Sequence, residues 1–266
     1  MNPRPVSVIT VCYNAAETIR DAIESVLCQT YPEIEYLIID GASTDGTLEI
    51  LAEYRDRVSV VVSEPDQGIA DAFNKGISRA KGEFIQLLNA DDVMPCDKIE
   101  KSLALLDLHP DAAFVFGSLT IMSKDGRPTM RVEGDNDYRR KIRKRMPRLN
   151  HPTMLVRASV YRKHGLFDIR WRIAMDYDWL LRIDHAGEHG VYSSDVSVFM
   201  RDGGVSSSWR HSLREHRDIS IKHGFNPVAA WSIYGLSIGK ILVRLLLERF
   251  LPAALLMKLR PGKTLL

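Results

Sequence analysis

Two adjacent carboxylates, Asp91 and Asp92, close the apolar run of "LLNADD". Acids side by side at the end of a buried-looking strand suit a hard divalent cation, Mg2+ or Mn2+. Such ions take oxygen ligands from one or two carboxylates and complete their shell with substrate phosphates and water. The same pair precedes a helical stretch, so a cation site and a helix N-cap are both compatible with the spacing. A second acid, Asp40, ends "YLIID" and opens into "GASTDG", where Gly41 and Gly46 let backbone come close to a ligand. A carboxylate there can reach a nucleobase amide or a ribose. Tyr13, just beyond the first apolar run, can stack on a base or stand idle in a turn. In "MDYDWLLRI", Asp176 and Asp178 head a helical pattern, in position for a general base or for a plain cap.

These residues need a scaffold that brings them together. The β-branched run Val6–Val11 leads into "AETIRDAIESVLCQT", where Ile19, Ile23, Val26 and Leu27 recur at helical spacing. "YLIID" with a helix from Thr47, "VSVVVSE" with "GIADAFNKGISRA", and "GEFIQLLN" continue the alternation over the first hundred residues. That order predicts an α/β, doubly wound sheet, with ligands beyond the carboxyl ends of the strands, where Tyr13, Asp40, Asp45, Asp91 and Asp92 fall. No Gly-x-Gly-x-x-Gly follows the first strand, where "VCYNAAET" stands instead, and no Walker phosphate loop occurs.

The second half is less regular. "AAFVFGSLTIMS" with the "KDGR" turn predicts a hairpin, and "DYDWLLRIDHAG" a helix. Seven basic residues lie between Arg139 and Arg148, suited to phosphates, to an anionic membrane surface or to a solvated face. Beyond Asn226 the chain turns apolar, with Lys240, Arg244 and Glu248 along one helical stripe until Pro252. This tail is too interrupted by charge for a membrane span and predicts an interfacial helix, or one packed on the main domain or a second subunit. The expected domains are 1–225, with a nucleotide-binding half 1–100 and an acceptor-binding half 101–225, and an amphipathic helical tail 226–266.

A net charge of only +2 argues against nucleic acid as partner. Cys12, Cys28 and Cys96 are odd in number and widely spaced, which predicts neither disulfide nor zinc site and fits a reducing compartment. "MNPRPVSVIT" lacks the features of an export signal. A cytoplasmic protein, peripheral on the inner face of the membrane, is the expectation.

Three segments in this order, "VSVITVCYNAAETIRDAIESVLCQTYPEIEYLIIDGASTDGT", "DQGIADAFNKGISRAKGEFIQLLNADD" and "HPTMLVRASVYRKHGLFDIRWRIAMDYDWLLRI", resemble the family 2 inverting glycosyltransferases of GT-A fold, of the bacterial envelope polysaccharide type. The likeness runs over roughly residues 4–210. It implies a Rossmann-like mixed sheet, a nucleotide diphosphate sugar as donor, with UDP the expected carrier, and a saccharide or lipid-linked acceptor. By the resemblance, the backbone near Val11 and the ring of Tyr13 hold the base, Asp40 bonds it, and Asn74 lies near the nucleotide, with Asp45 a further acid in that loop. "NADD" matches the family's metal motif Asp-x-Asp: Asp91 contacts ribose or metal and Asp92 metal (Mn2+ or Mg2+), while Asn89 replaces the first acid. The family's base sits in a Glu-Asp pair before a helix; here the pair is Met175-Asp176, so Asp176 carries over and Asp178 is held in reserve. His151, in "NHPTM", falls near acceptor or diphosphate, or serves as a structural hydrogen-bonding residue.

Two other classes meet part of the pattern. A sugar-phosphate nucleotidyltransferase shares the layout and the cation, but needs an N-terminal Gly-rich loop with basic residues, which is missing here. A catalytically inactive sugar-nucleotide-binding protein would tolerate loss of the carboxylates, and all of them are present.

Overall fold

The first strand explains most of the architecture. β1 (Val6–Cys12) is buried along its whole length. Its side chains alternate between two cores: Ile9 and Val11 enter one, Val6, Val8 and Cys12 the other. A strand apolar on both faces belongs in the middle of a sheet covered on both sides. A computed structural model, describing residues 4–123, 125–202, 209–250 and 263–265, places it there. Among these residues β1 is flanked in parallel by β2 (Ile34–Asp40) and β4 (Phe84–Asn89), with β3 (Val60–Ser63) parallel beyond β2.

The connecting helices are α1 (Ile19–Leu27), α2 (Thr47–Glu53) and α3 (Ile69–Arg79). Ile19, Ala22, Ile23 and Val26 give α1 its buried stripe at i, i+3, i+4 and i+7. α3 lies so close to β1 that a Cβ on Gly76 would stand 2.4 Å from Ile9 Cγ2, which explains the glycine.

After β4 come β5 (Asp92–Val93), α4 (Lys98–Leu108), and the antiparallel hairpin of β6 (Phe114–Met122) and β7 (Pro128–Val132). Then follow α5 (Tyr138–Ile142), a 3-10 turn at His151–Thr153, β8 (Leu155–Arg157), α6 (Ala158–His164), α7 (Met175–His185), β9 (Gly190–Arg201), α8 (Trp209–Lys222) and α9 (Pro227–Phe250). β8 runs antiparallel between β4 and β6. β9 runs parallel to β6 and antiparallel to β5, so the long strand of the second half grips the residue pair that begins at Asp92. Gln86 of β4 accepts a hydrogen bond from the buried Lys98 and donates one of 2.7 Å to the Pro152 carbonyl, linking α4 to the 3-10 turn. The expected doubly wound mixed sheet is present, and so is the expected hairpin.

Two expectations need correction. Cys28 and Cys96 are paired as a disulfide, with Cα atoms 5.2 Å apart across 68 residues of sequence, and only Cys12 is free. Their spacing gave no hint, because the pairing depends on the end of α1 meeting the loop after β5. The tail is not wholly helical: α9 packs on α8, but β10 (Lys263–Leu265) joins the sheet antiparallel to β7. Pro252 lies outside the described residues. Among the described residues no helix is long and apolar enough to cross a membrane.

The basic segment, finally, is largely matched by acids. Asp184 meets Arg139 and Arg143 at 3.7 and 3.0 Å, Asp137 meets Arg140, and the buried Asp135 meets Lys141 and Arg148 at 2.6 and 2.9 Å. Its charge is therefore structural on one side and free on the other.

Candidate functional site

The strand register levels the chemical residues. Cys12 stands opposite Asp40 and Val11 opposite Asn89, so the ends of β1, β2 and β4 deliver their loops to one edge. Two of those loops are stitched together. Asn14, at a left-handed φ of 48°, donates its N–H to Ser43 Oγ and accepts from the Thr44 N–H. The Ala15 N–H donates to Thr47 Oγ1, and the Ala16 N–H to Asp45. Asp45 also accepts from the Thr47 hydroxyl and N–H, which hold its carboxyl below the ordinary range. Its work is to close the α2 entry turn.

Asp40 is fully buried, and its carboxylate is already occupied. It accepts from the Ser43 hydroxyl and N–H, from the Ser63 hydroxyl at 2.6 Å and from the Cys12 thiol at 3.5 Å. In this arrangement Asp40 shapes the 41–45 loop and leaves no free acceptor for a base. The carboxylate that keeps an oxygen open here is Asp66, which is partly exposed and whose Oδ1 accepts the Gly68 N–H at 2.7 Å. A Cβ on Gly41 would lie 2.5 Å from Asp66 Oδ2 and 3.4 Å from the Tyr13 ring, so the bare glycine is what lets acid and ring flank one another. The Tyr13 ring is 65% exposed, whereas the Val11 side chain is in the core, so Val11 can offer a ligand only backbone.

The acidic pair forms a second group. Asp92 is completely buried, and Asn89 Nδ2 donates 2.9 Å to its Oδ2. Asn89 Oδ1 and Asp92 Oδ1 are both buried without a hydrogen-bond partner. Burial, with the charge of Asp91 adding, pushes the Asp92 carboxyl up to about 8, against the Asn89 bond. Burial also raises Asp91, with Arg201 of β9 opposing. Buried oxygens left unpaired are costly, and a hard cation is the partner that such donors fit. Among the described residues no cluster of three or more His, Cys, Asp or Glu forms a ready ligand set. A cation here would therefore be completed by oxygens from elsewhere, such as phosphates and water.

Asp176 forms a third group at the head of α7, with no direct bond to the other two. Its Oδ1 accepts the Tyr177 N–H at 2.8 Å. Burial raises the carboxyl to about 6; the Tyr177 N–H opposes this and the nearby Glu215 charge adds to it. Glu215 of α8 accepts the N–H groups of Arg172, Ile173 and Ala174 at 2.8 to 3.0 Å, so it fixes the turn from which Asp176 projects. Asp178 is fully enclosed and ion-paired with Lys222, His223 and Arg182. Although burial alone would raise it, His223 and Lys222 hold it at about 2. The reserve base is thus a tie between α7 and α8.

His151 packs edge-on against Phe73 and Phe167, with centroids 5.9 and 5.8 Å away, and burial lowers it to about 4, so it is neutral at pH 7. The Asn74 amide donates to the Phe167 carbonyl at 2.8 Å and accepts from the Phe167 N–H at 2.9 Å. Both functions of the amide go to strapping α3 to the segment before α7. Asn74→Ala is expected to lower unfolding free energy by about 2 kcal/mol, because two partly buried backbone groups lose their partner. An unchanged urea midpoint would show that the strap contributes nothing.

Residues 7–168 match the sequence profile of glycosyl transferase family 2. The chain belongs to this family. Similar family relatives include the putative teichuronic acid biosynthesis glycosyltransferase TuaG of Bacillus subtilis (strain 168), 42% identical over 126 residues, covering 46% of this chain and 50% of the relative. The putative glycosyltransferase EpsE of the same strain is 32% identical over 209 residues, covering 76% of this chain and 75% of the relative. The chain thus spans half the length of the first relative and three quarters of the second.

Two solved structures share the fold at low identity. Staphylococcus aureus TarS 1-349 in complex with UDP-GlcNAc has a TM-score of 0.64 and 18% identity, over 85% of this chain and 69% of that one. The mannosyltransferase PcManGT from Pyrobaculum calidifontis, in complex with GDP-Man and Mn2+, has a TM-score of 0.62 and 20% identity, over 88% and 69%. For this family 2 chain, the sequence pattern singled out neither Asp66 nor Glu215. The signal that Asp66 carries is its place as an acid just before the helix that starts at "GIADAF". Glu215 carried no local signal, since its three partners lie some forty residues earlier in the chain.

Proposed function

We propose that this protein transfers a sugar from a nucleoside diphosphate sugar, with UDP as carrier, to a hydroxyl of a saccharide or lipid-linked acceptor, with inversion at the anomeric carbon. The observation that carries the proposal is the pair of unpaired buried oxygens, Asn89 Oδ1 and Asp92 Oδ1, at the same sheet edge as the exposed Tyr13 ring and Asp66. Asn89, Asp91 and Asp92 would hold Mn2+ or Mg2+, and the bound ion would neutralise charge on a departing diphosphate. Tyr13 offers a face for the base and Asp66 an acceptor for its N–H or for ribose hydroxyls, while Asp40 keeps their loop in shape. His151 remains as a neutral group near the acceptor side.

Asp176 acts as general base. Its carboxylate accepts the proton of the acceptor hydroxyl as that oxygen bonds to the anomeric carbon and the bond from that carbon to the diphosphate oxygen breaks. A single displacement of this kind inverts the centre. Membrane contact through the basic segment 139–148 and the tail 226–266 would bring a lipid-linked acceptor to this edge.

The test is a donor screen that follows release of nucleoside diphosphate with and without Mn2+. Metal-stimulated release from one nucleotide sugar is expected, and its absence from every donor would end the proposal. The pH profile gives a second check. With Asp176 raised to about 6, kcat/KM should climb with pH through a midpoint near 6, because only the deprotonated carboxylate accepts a proton. A flat profile between pH 5 and 7 would remove Asp176 from that role.

A further inference from the structure

A groove of about 480 Å3 runs between α9 and the segment formed by α5 and the turn after it. The α5 side is cationic, with Arg140, Lys141, Lys144 and Arg145, and α9 contributes Lys240 beside Ile233 and Leu236. Arg140 and Lys141 are matched by Asp137 and Asp135 at 3.1 and 2.6 Å. Lys144, Arg145 and Lys240 have no acidic partner among the described residues, so the groove carries uncompensated positive charge.

The apolar side of α9 borders this groove. Val228, Trp231, Leu236, Leu242, Val243 and Leu246 are each more than half exposed. At 3.6 residues per turn they fall within an arc of roughly 140°. Gly235 and Gly239 lie in the same arc, and a Cβ on either would meet nothing within 4 Å, so nothing described covers the middle of the arc. α8 takes the opposite flank, where Ala230 is buried, and its Arg217 guanidinium reaches round to the edge of the arc, 4.0 Å from the Trp231 ring centroid. Helix, cations and open apolar face thus form one continuous surface. A second copy of the chain would bring the same cations to the seam, and like charges there repel.

We propose that this surface docks on an anionic phospholipid bilayer, with lipid phosphates in the groove between Lys144, Arg145 and Lys240 and the apolar arc of α9 laid into the acyl boundary. The occupant follows from charge complementarity combined with a contiguous apolar face that is too short of apolar length to cross the bilayer. The proposal deepens the membrane contact suggested above by naming the site and the headgroup charge, and it does not depend on the transfer chemistry.

Flotation of the full chain with vesicles tests it. Vesicles of phosphatidylcholine with 30% phosphatidylglycerol should retain the protein at low salt, and pure phosphatidylcholine should retain roughly tenfold less or weaker still. The variant Lys144→Glu/Arg145→Glu/Lys240→Glu should lose at least about tenfold of the retention, and Leu242→Glu/Leu246→Glu a comparable amount, with melting temperatures unchanged. Release of nucleoside diphosphate without vesicles should be the same in both variants as in the unaltered chain, which separates this proposal from the enzymatic one. Equal retention on both vesicle types, full retention by the charge variant, or a dimer that dissolves on Leu242→Glu/Leu246→Glu without any vesicle binding would each overturn it.

Discussion

Asp176→Asn lowers kcat by about 10² to 10⁴ and leaves the affinity for the nucleoside diphosphate within a few-fold, the expected signature of losing a general base. The amide has the shape of the carboxylate and can still accept the Tyr177 N–H through its oxygen, so the head of α7 is undisturbed. It cannot take a proton. The stability of the variant provides the control. In the folded chain the carboxyl is raised to about 6 from an ordinary 3.8, so the native state binds the proton more tightly than the unfolded one. Stability from this group is therefore present at low pH and lost as pH rises through that window. Because the residue keeps part of its surface open, the cost of its charge at pH 7.5 is about 1 to 2 kcal/mol, and the Asn variant should melt higher by a corresponding amount. A slower, more stable protein identifies a residue kept for chemistry. Normal turnover by Asp176→Asn would shift the base to another residue, and Asp178 is a poor choice because its carboxylate is enclosed by Lys222, His223 and Arg182.

Asp92→Asn abolishes most of the cation-dependent part of donor binding, weakening it by roughly 100-fold or more in titration calorimetry with Mn2+. The residue is wholly buried and one of its oxygens is unpaired, beside the equally unpaired Asn89 Oδ1. Replacing the charge with a neutral amide removes the anionic half of that oxygen pair while Asn89 and β9 still hold the segment in place. In chelator near neutral pH the variant should melt at least as high as the unaltered chain, since a carboxyl that burial pushes up to about 8 is mostly neutral there and the amide replaces no charge pairing. Donor binding equal to that of the parent, with and without Mn2+, would exclude the acidic pair as the cation site.

These two acids are legible in the amino-acid sequence alone, and the reason is local. Asp92 follows a continuous apolar run and Asp176 opens a helical pattern, so each is placed by the element next to it in the chain. The alternation from β1 to β4 is legible on the same grounds. The elements that the pattern did not single out, β9 and α8 among them, make their decisive contacts far along the chain: β9 with β5 and β6, and Glu215 of α8 with the turn before α7. Asn74 shows the limit from the other side. Its helix is readable, but the choice between a ligand and the Phe167 backbone depends on how α3 meets a segment 93 residues away.

By itself, then, the sequence determined the run of elements, the α/β class and the sites of the acids at strand and helix ends, because propensity and hydrophobic period act over a few residues. The tertiary structure decided which of those acids remain open. It filled Asp40 with Ser43, Ser63 and Cys12, set Asp66 beside Tyr13 across a bare Gly41, and left Asp92 with an unpaired oxygen. It also paired Cys28 with Cys96 and divided the basic segment into a matched side and a free one. Burial and hydrogen-bond partners are properties of packed neighbours, and packing brings together residues whose separation along the chain carries no record of the contact.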